Sequence, residues 1–358
     1  MDVLVIGGSR FSGRKLVELL AKREHSVMVI NRGKSEKAAP PFIQPEKYQY
    51  PEGVEVLHAD RKNTREFARI LRKSTFEAII DTCAYTEPDV RTILQNTPKG
   101  LEHYVMVSTA SVYDEKKLRM FPIAEEAPIG SMGDDEQLLY SRDKRKAEAA
   151  LKTAYQETGF PMTIIRPTYI YGPNNPLYRE YYFFDRLLDK RPIFLPGSGD
   201  FIIDFVFVSD VAWLLAAPLE SKKAKGQVYN ATGEGGLTLN SYIDILAEIV
   251  GVKQPEVIHY NPEILQQKEL QPKTMMQMFP FSYSEHLLLS REKAVKDFGY
   301  RPTPFYTGVR ITFQWYEKRR NRDWQPDYSL DEKIRKYLDK KYTTMTNYKR
   351  NLDFSAKQ

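Results

Sequence analysis

Three groups of residues have types and spacings that can do chemistry. Tyr140-Ser-Arg-Asp-Lys144 sets a phenol and an amine four positions apart, one turn apart on one helix face. An ammonium beside a phenol favours the phenolate and lowers its pKa. Tyr140 is therefore a candidate acid/base for interconverting C–OH and C=O, although ordinary surface pairs share this spacing. Val107-Ser-Thr-Ala-Ser-Val-Tyr113 places hydroxyls after an apolar run. Thr109 is the candidate to hydrogen-bond a substrate oxygen beside Tyr140. Small and β-branched residues equally suit a strand and its turn. The third group is Asp2-Val-Leu-Val-Ile-Gly-Gly-Ser-Arg-Phe-Ser-Gly-Arg14. Gly7, Gly8 and Gly13, with Ser9 and Phe11 between them, permit a tight turn and close approach to phosphates at a helix N-terminus. A sharp strand-to-helix turn would use the same glycines. Arg10 stands where such loops carry their middle glycine, and adds a cation beside the phosphates.

The elements that must hold these groups alternate. Strands read at Val3–Ile6, Val27–Ile30, Val54–Leu57, Ala78–Asp81, Tyr104–Val107 and Met162–Ile165. Helical spacing reads at Lys15–Lys22, Glu66–Leu71, Val90–Leu94 and 141–157. The alternation predicts an α/β fold, a doubly wound parallel sheet covered on both faces. Beyond Arg166 the pattern loosens. A strand at Val228–Ala231 and helices at 239–250 and 291–298 predict a smaller C-terminal lobe interleaved with the sheet. The expected division is a dinucleotide-binding domain over 1–167, with contributions from about 205–235. A substrate lobe takes 168–204 and 236–325, and a basic tail 326–358.

The second strand closes at Asn31, 18 residues after Gly13, where such folds read the ribose. An acid there would favour NAD. Asn31 and Arg32, with Arg10 nearby, offer two guanidinium groups for a 2′-phosphate, so the cofactor is read as NAD(P), leaning to NADP. Asp60, after the third strand, is placed against the adenine, and Arg61 joins the cofactor-binding set. Cys83 lies after the fourth strand, near the nicotinamide, as a small hydrophobe and not a nucleophile.

Composition is that of an ordinary soluble domain, 42% hydrophobic and 28% charged. No signal-peptide pattern and no run approaching a membrane span is read, so no membrane partner is expected. The single cysteine fits a reducing cytoplasm. Five scattered histidines without ligand spacing predict no metal. Residues 333–350 hold seven cations and one acid, which accounts for the whole net charge of +6. This tail reads as a solvated helix with a frayed end, or as an anion or nucleic-acid contact.

Taken together, these segments resemble the extended short-chain dehydrogenase/reductases, the NAD-dependent epimerase/dehydratase family with its Rossmann-type fold. The resemblance runs through Gly7–Gly13, Thr109, Tyr140/Lys144, Arg166–Pro173, Phe205–Ala212, Thr238 and Gly299–Pro302. It implies that Tyr140 is the acid/base, that Lys144 lowers its pKa and binds the ribose, and that Thr109 completes the triad. Arg166 joins the cofactor-binding set, and hydride passes between a substrate carbon and nicotinamide C4. It also implies a homodimer acting on a sugar-like or other hydroxylated small molecule. Two positions depart from the family: Arg10, and Ile203, where nucleotide-sugar enzymes carry an arginine that holds a diphosphate. Arg166–Pro173, Phe183–Pro192, Ile258–Pro262 and Phe279–Phe281 are similar to the chloroplast stem-loop RNA-binding proteins and their bacterial relatives. Alternatives are thus an RNA-binding protein, with ribonuclease activity among its roles, and an NADP-sensing regulator without turnover.

Overall fold

Short runs of branched aliphatic residues become central strands here because helices cover both of their faces. The computed structural model describes residues 1–33, 39–133 and 138–341. The first half reads β1 (Asp2–Ile6), α1 (Phe11–Lys22), β2 (Ser26–Asn31), β3 (Glu55–His58), α2 (Thr64–Lys73), β4 (Ala78–Asp81), α3 (Glu87–Gln95), β5 (His103–Val107), α4 (Leu139–Thr158) and β6 (Met162–Pro167). The second half is more broken. It contains β7 (Tyr169–Tyr171), α5 (Glu180–Leu188), β8 (Ile193–Pro196), β9 (Ile202–Ile203), β10 (Phe205–Phe207), α6 (Val208–Ala216) and β11 (Gln227–Ala231). Then follow β12 (Leu237–Thr238), α7 (Leu239–Val250), β13 (Val257–Tyr260), α8 (Glu292–Phe298) and α9 (Phe305–Arg319).

Seven strands form one parallel sheet in the order β11-β6-β5-β4-β1-β2-β3. Strand order reverses between β1 and β4, which opens a crevice at their carboxyl ends. Leu16, Val17 and Leu20 of α1 and Val211, Leu214 and Leu215 of α6 cover one face. Phe67 and Leu71 of α2, Val90 and Ile93 of α3, and Ala147 and Leu151 of α4 cover the other. The doubly wound α/β expectation is met. The return of the chain through α6 to β11 extends the sheet beyond β6.

The C-terminal lobe has an aromatic core built from α5, α7, α9 and β10. Phe183 and Phe184 are sealed within it, and Tyr316 stacks on Tyr181 with centroids 4.6 Å apart. Asp210 accepts from Thr303 N and Oγ1 at 2.8 and 2.7 Å. It lines a groove with α1 residues, away from the glycine loop. Residues 329–341 form a helix that buries Leu330 and Ile334 against Phe194, Tyr260 and Leu270. Arg186 clasps Asp331 of this helix at 2.8 Å, and Arg335 pairs with Glu256. The first half of the basic segment is therefore docked by an apolar face. Lys349 and Arg350 lie outside the described residues.

Candidate active site

β1 ends by delivering Gly7 and Gly8 in left-handed backbone, with φ of +117° and +64°. A Cβ at Gly7 would collide with Thr82 Oγ1, and one at Gly13 would stand 2.8 Å from Gly8 N. The glycines thus let β1, β4 and the first turn of α1 crowd together. Arg10 caps α1 in extended backbone, φ −136°, so this position places no demand for glycine. No side chain caps the helix and no acid stands in its first turn, leaving its N–H groups to an anion. The resulting cleft, of about 450 Å³, is lined by Gly7, Gly8, Ser9, Arg10, Gly13, Asn31, Arg32, Asp60, Arg61 and Cys83, among others. A glycine cradle, an open helix end and flanking guanidinium groups fit the diphosphate of a dinucleotide.

Several of these side chains have partners already. Asn31 Oδ1 accepts from Gly33 N at 2.6 Å and lies 3.1 Å from His58 Nδ1, while Nδ2 donates to the Tyr50 hydroxyl. Asn31 therefore shapes the turn that presents Arg32. Arg61 is spent on Asp81 at 2.8 Å and on the Asp89 carbonyl at 3.0 Å. Asp60 accepts from Lys62 N. Burial pushes the Cys83 thiol up, in keeping with an inert wall residue. Phe11 faces the neighbouring cleft instead.

Arg166 corrects the sequence reading. It is fully buried, and its guanidinium donates to Glu148 at 2.9 and 2.5 Å and to the Glu125 carbonyl at 3.0 Å. A cation in the core needs its counter-charge. Arg166 is thus a structural partner of α4 and lines neither cleft.

The second cleft, of about 480 Å³, is lined by Tyr140, Lys144 and Thr109 together. It meets the first at Ser12, Thr82, Tyr85 and Pro176. Tyr140 projects from the first turn of α4 and is half exposed. Lys144, one turn on, is buried and donates to the Ala84 and Val107 carbonyls, both at 2.7 Å. It thereby ties the ends of β4 and β5 to α4. Burial lowers its pKa to about 8.

The expected lowering of the phenol is absent from this geometry. The Lys144 ammonium is turned to carbonyls, 6.0 Å from the Tyr140 ring centroid. Burial raises the Tyr140 pKa above its ordinary value, opposed by a hydrogen bond with Thr109 and by the charge of Arg179. Thr109 Oγ1 also accepts from Ser111 N at 3.2 Å.

Sequence reasoning missed Thr82, Tyr85 and Arg179. Thr82 follows β4 at the strand-order reversal, so the position itself was the signal. Tyr85 stands 6.4 Å from Tyr140, centroid to centroid, with the Lys144 ammonium 4.8 Å over its ring. Its pKa is raised to about 12, chiefly by burial. Ile203 is sealed in the core and pairs with Leu237 of β12. Among the described residues, no cluster of three or more His, Cys, Asp or Glu could hold a metal, and no helix is long and apolar enough to cross a membrane.

The chain is 32% identical over 302 residues to the chloroplast stem-loop binding protein of 41 kDa b from Arabidopsis thaliana, covering 84% of this chain and 75% of that protein. Its fold is shared by UDP-glucose 4-epimerase from Thermotoga maritima, solved with UDP-glucose: TM-score 0.69, 20% identity, 89% of this chain and 99% of that one. It is shared also by UDP-glucose 4-epimerase from Thermus thermophilus, solved with NAD: TM-score 0.65, 24% identity, 88% and 99% covered. Residues 3–96 and 91–232 match one family of enzymes, and the chain belongs to it: the NAD dependent epimerase/dehydratase family.

Proposed function

We propose that the joined clefts transfer hydride at a C–OH/C=O carbon of a sugar-like or other hydroxylated small molecule, by epimerisation, dehydration or net oxidoreduction. The observation that carries this reading is that Tyr140, Thr109 and Lys144 line one cleft that opens onto the glycine cradle. A nicotinamide dinucleotide, when bound, supplies the hydride acceptor or donor. Tyr140 moves the proton at the reacting oxygen, with the Thr109 hydroxyl orienting that oxygen. Lys144 holds the strand ends that wall the cleft and has one ammonium proton left for a ribose hydroxyl. Gly7, Gly8, Gly13 and Ser9 take the diphosphate, and Arg10 and Arg32 take a 2′-phosphate, so the preferred cofactor is NADP.

Titration of the full chain with NADH, NADPH and their oxidised forms, read by reduced-nicotinamide fluorescence, tests the reading. Arg10→Ala and Arg32→Ala are each expected to weaken NADPH about tenfold, the scale of a charge-assisted hydrogen bond, while leaving NADH within about twofold. Equal losses for both nucleotides would remove the 2′-phosphate role. A second reading, binding of a structured nucleic acid such as RNA, draws on the name of the Arabidopsis relative, a stem-loop binding protein. Failure of all four nucleotides alongside salt-dependent retention of a structured RNA would move the assignment there.

A further inference from the structure

Two cations line the cleft that holds Tyr140, and they are used differently. Lys144 is committed to two backbone carbonyls. Arg179 is not committed. It caps the N-terminus of α5, with its guanidinium 5.0 Å from the Tyr169 ring centroid, and forms no ion pair and no side-chain hydrogen bond among the described residues. The adjacent carboxylate, Glu180, does not pair with it in contact and accepts instead from Gly172 N at 3.1 Å and Asn175 Nδ2 at 2.9 Å. Glu115 and Glu285, the two carboxylates that line the cleft, face each other, and the interaction raises the Glu115 pKa. With its pKa raised to about 7, Glu115 carries less negative charge near neutrality than an ordinary carboxylate.

The cleft therefore presents a partly buried guanidinium with no ion-pair partner in contact, felt by Glu180 only through its charge and close enough that its field reaches the Tyr140 phenol. Withdrawing a cation from water without a partner is costly. Burial accordingly lowers the Arg179 pKa. An incoming anion relieves this cost, and a planar fork suits a carboxylate or a phosphate bidentately. On the β9 side, Ile203 is apolar and sealed, and supplies no cation for a diphosphate.

We propose that Arg179 is the specificity-determining residue of this cleft, and that it anchors an anionic substituent, a carboxylate or phosphate monoester, carried by the substrate close to the carbon that reacts at Tyr140. This rests on reading the Tyr140 cleft as the substrate site.

The test uses the full chain loaded with NADH or NADPH, titrated with glucuronate, glucose 6-phosphate and glucose, and read by the fluorescence of the bound nicotinamide. At least one anionic sugar should bind better than glucose, and the one preferred assigns carboxylate or phosphate. Arg179→Met keeps the stem over Tyr169 and removes the charge. It is expected to abolish that preference, weakening the anion about 10- to 100-fold while leaving nucleotide affinity unchanged. Arg179→Lys should restore part of it. If the loaded protein binds neither anion better than glucose, or Arg179→Met keeps the preference, Arg179 is not the anchor, although the site reading stands. If no nicotinamide nucleotide binds at all, the underlying reading falls with it.

Discussion

Tyr140→Phe is expected to lower kcat by between about 10²- and 10⁴-fold, the range spanned by loss of a positioned general acid/base. Nucleotide affinity and thermal stability should stay where they are. The side chain is half exposed at the start of α4, so the hydroxyl supports no packing. Its removal takes away the proposed acid/base group and its contact with Thr109. Steady-state turnover, nucleotide titration and a melting curve separate these effects. A variant that turns over at the parental rate would exclude Tyr140 from the chemistry. One that melts early would mean the residue supports the fold.

Glu148→Gln is expected to destabilise the protein by about 3–5 kcal/mol, the usual cost of breaking a buried ion pair from one side. Glu148 is fully buried and accepts from Arg166 and from Ser108 Oγ at 2.6 Å. Glutamine removes the charge and leaves Arg166 buried and uncompensated. Burial by itself would raise the Glu148 pKa, but hydrogen bonding and charge from Arg166 override it and hold the carboxyl below its ordinary value. A carboxylate depressed on folding stabilises the native state above its unfolded pKa and loses that contribution as pH falls through the folded pKa. The loss therefore sets in below about pH 4.5, and Glu148→Gln should lack that acid limb. Urea denaturation across pH checks both points. Pairing Glu148→Leu with Arg166→Met should recover much of the loss, since an apolar pair leaves no unpaired charge. Equal stability of Glu148→Gln and the parent would show that the pair contributes nothing.

What could be read from the sequence divides along physical lines. Val3–Ile6 and Ala78–Asp81 were legible as strands because burial on both faces demands unbroken apolar runs. The strand-to-helix turn was legible because Gly7 and Gly8 sit where only glycine is comfortable. α5 was not, because Tyr181–Phe184 is apolar on every side and carries no period. Arg166 was misread because its partner, Glu148, lies on a preceding helix, and only the packing of β6 under α4 joins them. Lys144 lines the cleft with Tyr140 but lacks the expected contact. Two carbonyls, one in the loop after β4 and one at the end of β5, claim its ammonium, which one-turn spacing within a helix cannot reveal. Asn31 lines the cradle, yet three neighbours use its amide to build a turn. In each case the address was readable and the side chain's commitments were not.

Pro176 sits where the nucleotide and Tyr140 clefts meet; it also lines the small cavity beside Arg10 and Arg14. A wall common to two ligands is a thermodynamic link between them. Whatever displacement of this segment one ligand favours, the other must accept or oppose. The factor by which substrate changes nucleotide affinity then equals the factor by which nucleotide changes substrate affinity. Two titrations run in opposite order must return that same number, and its departure from one measures how far the shared wall of Ser12, Thr82, Tyr85 and Pro176 couples the two halves of the site.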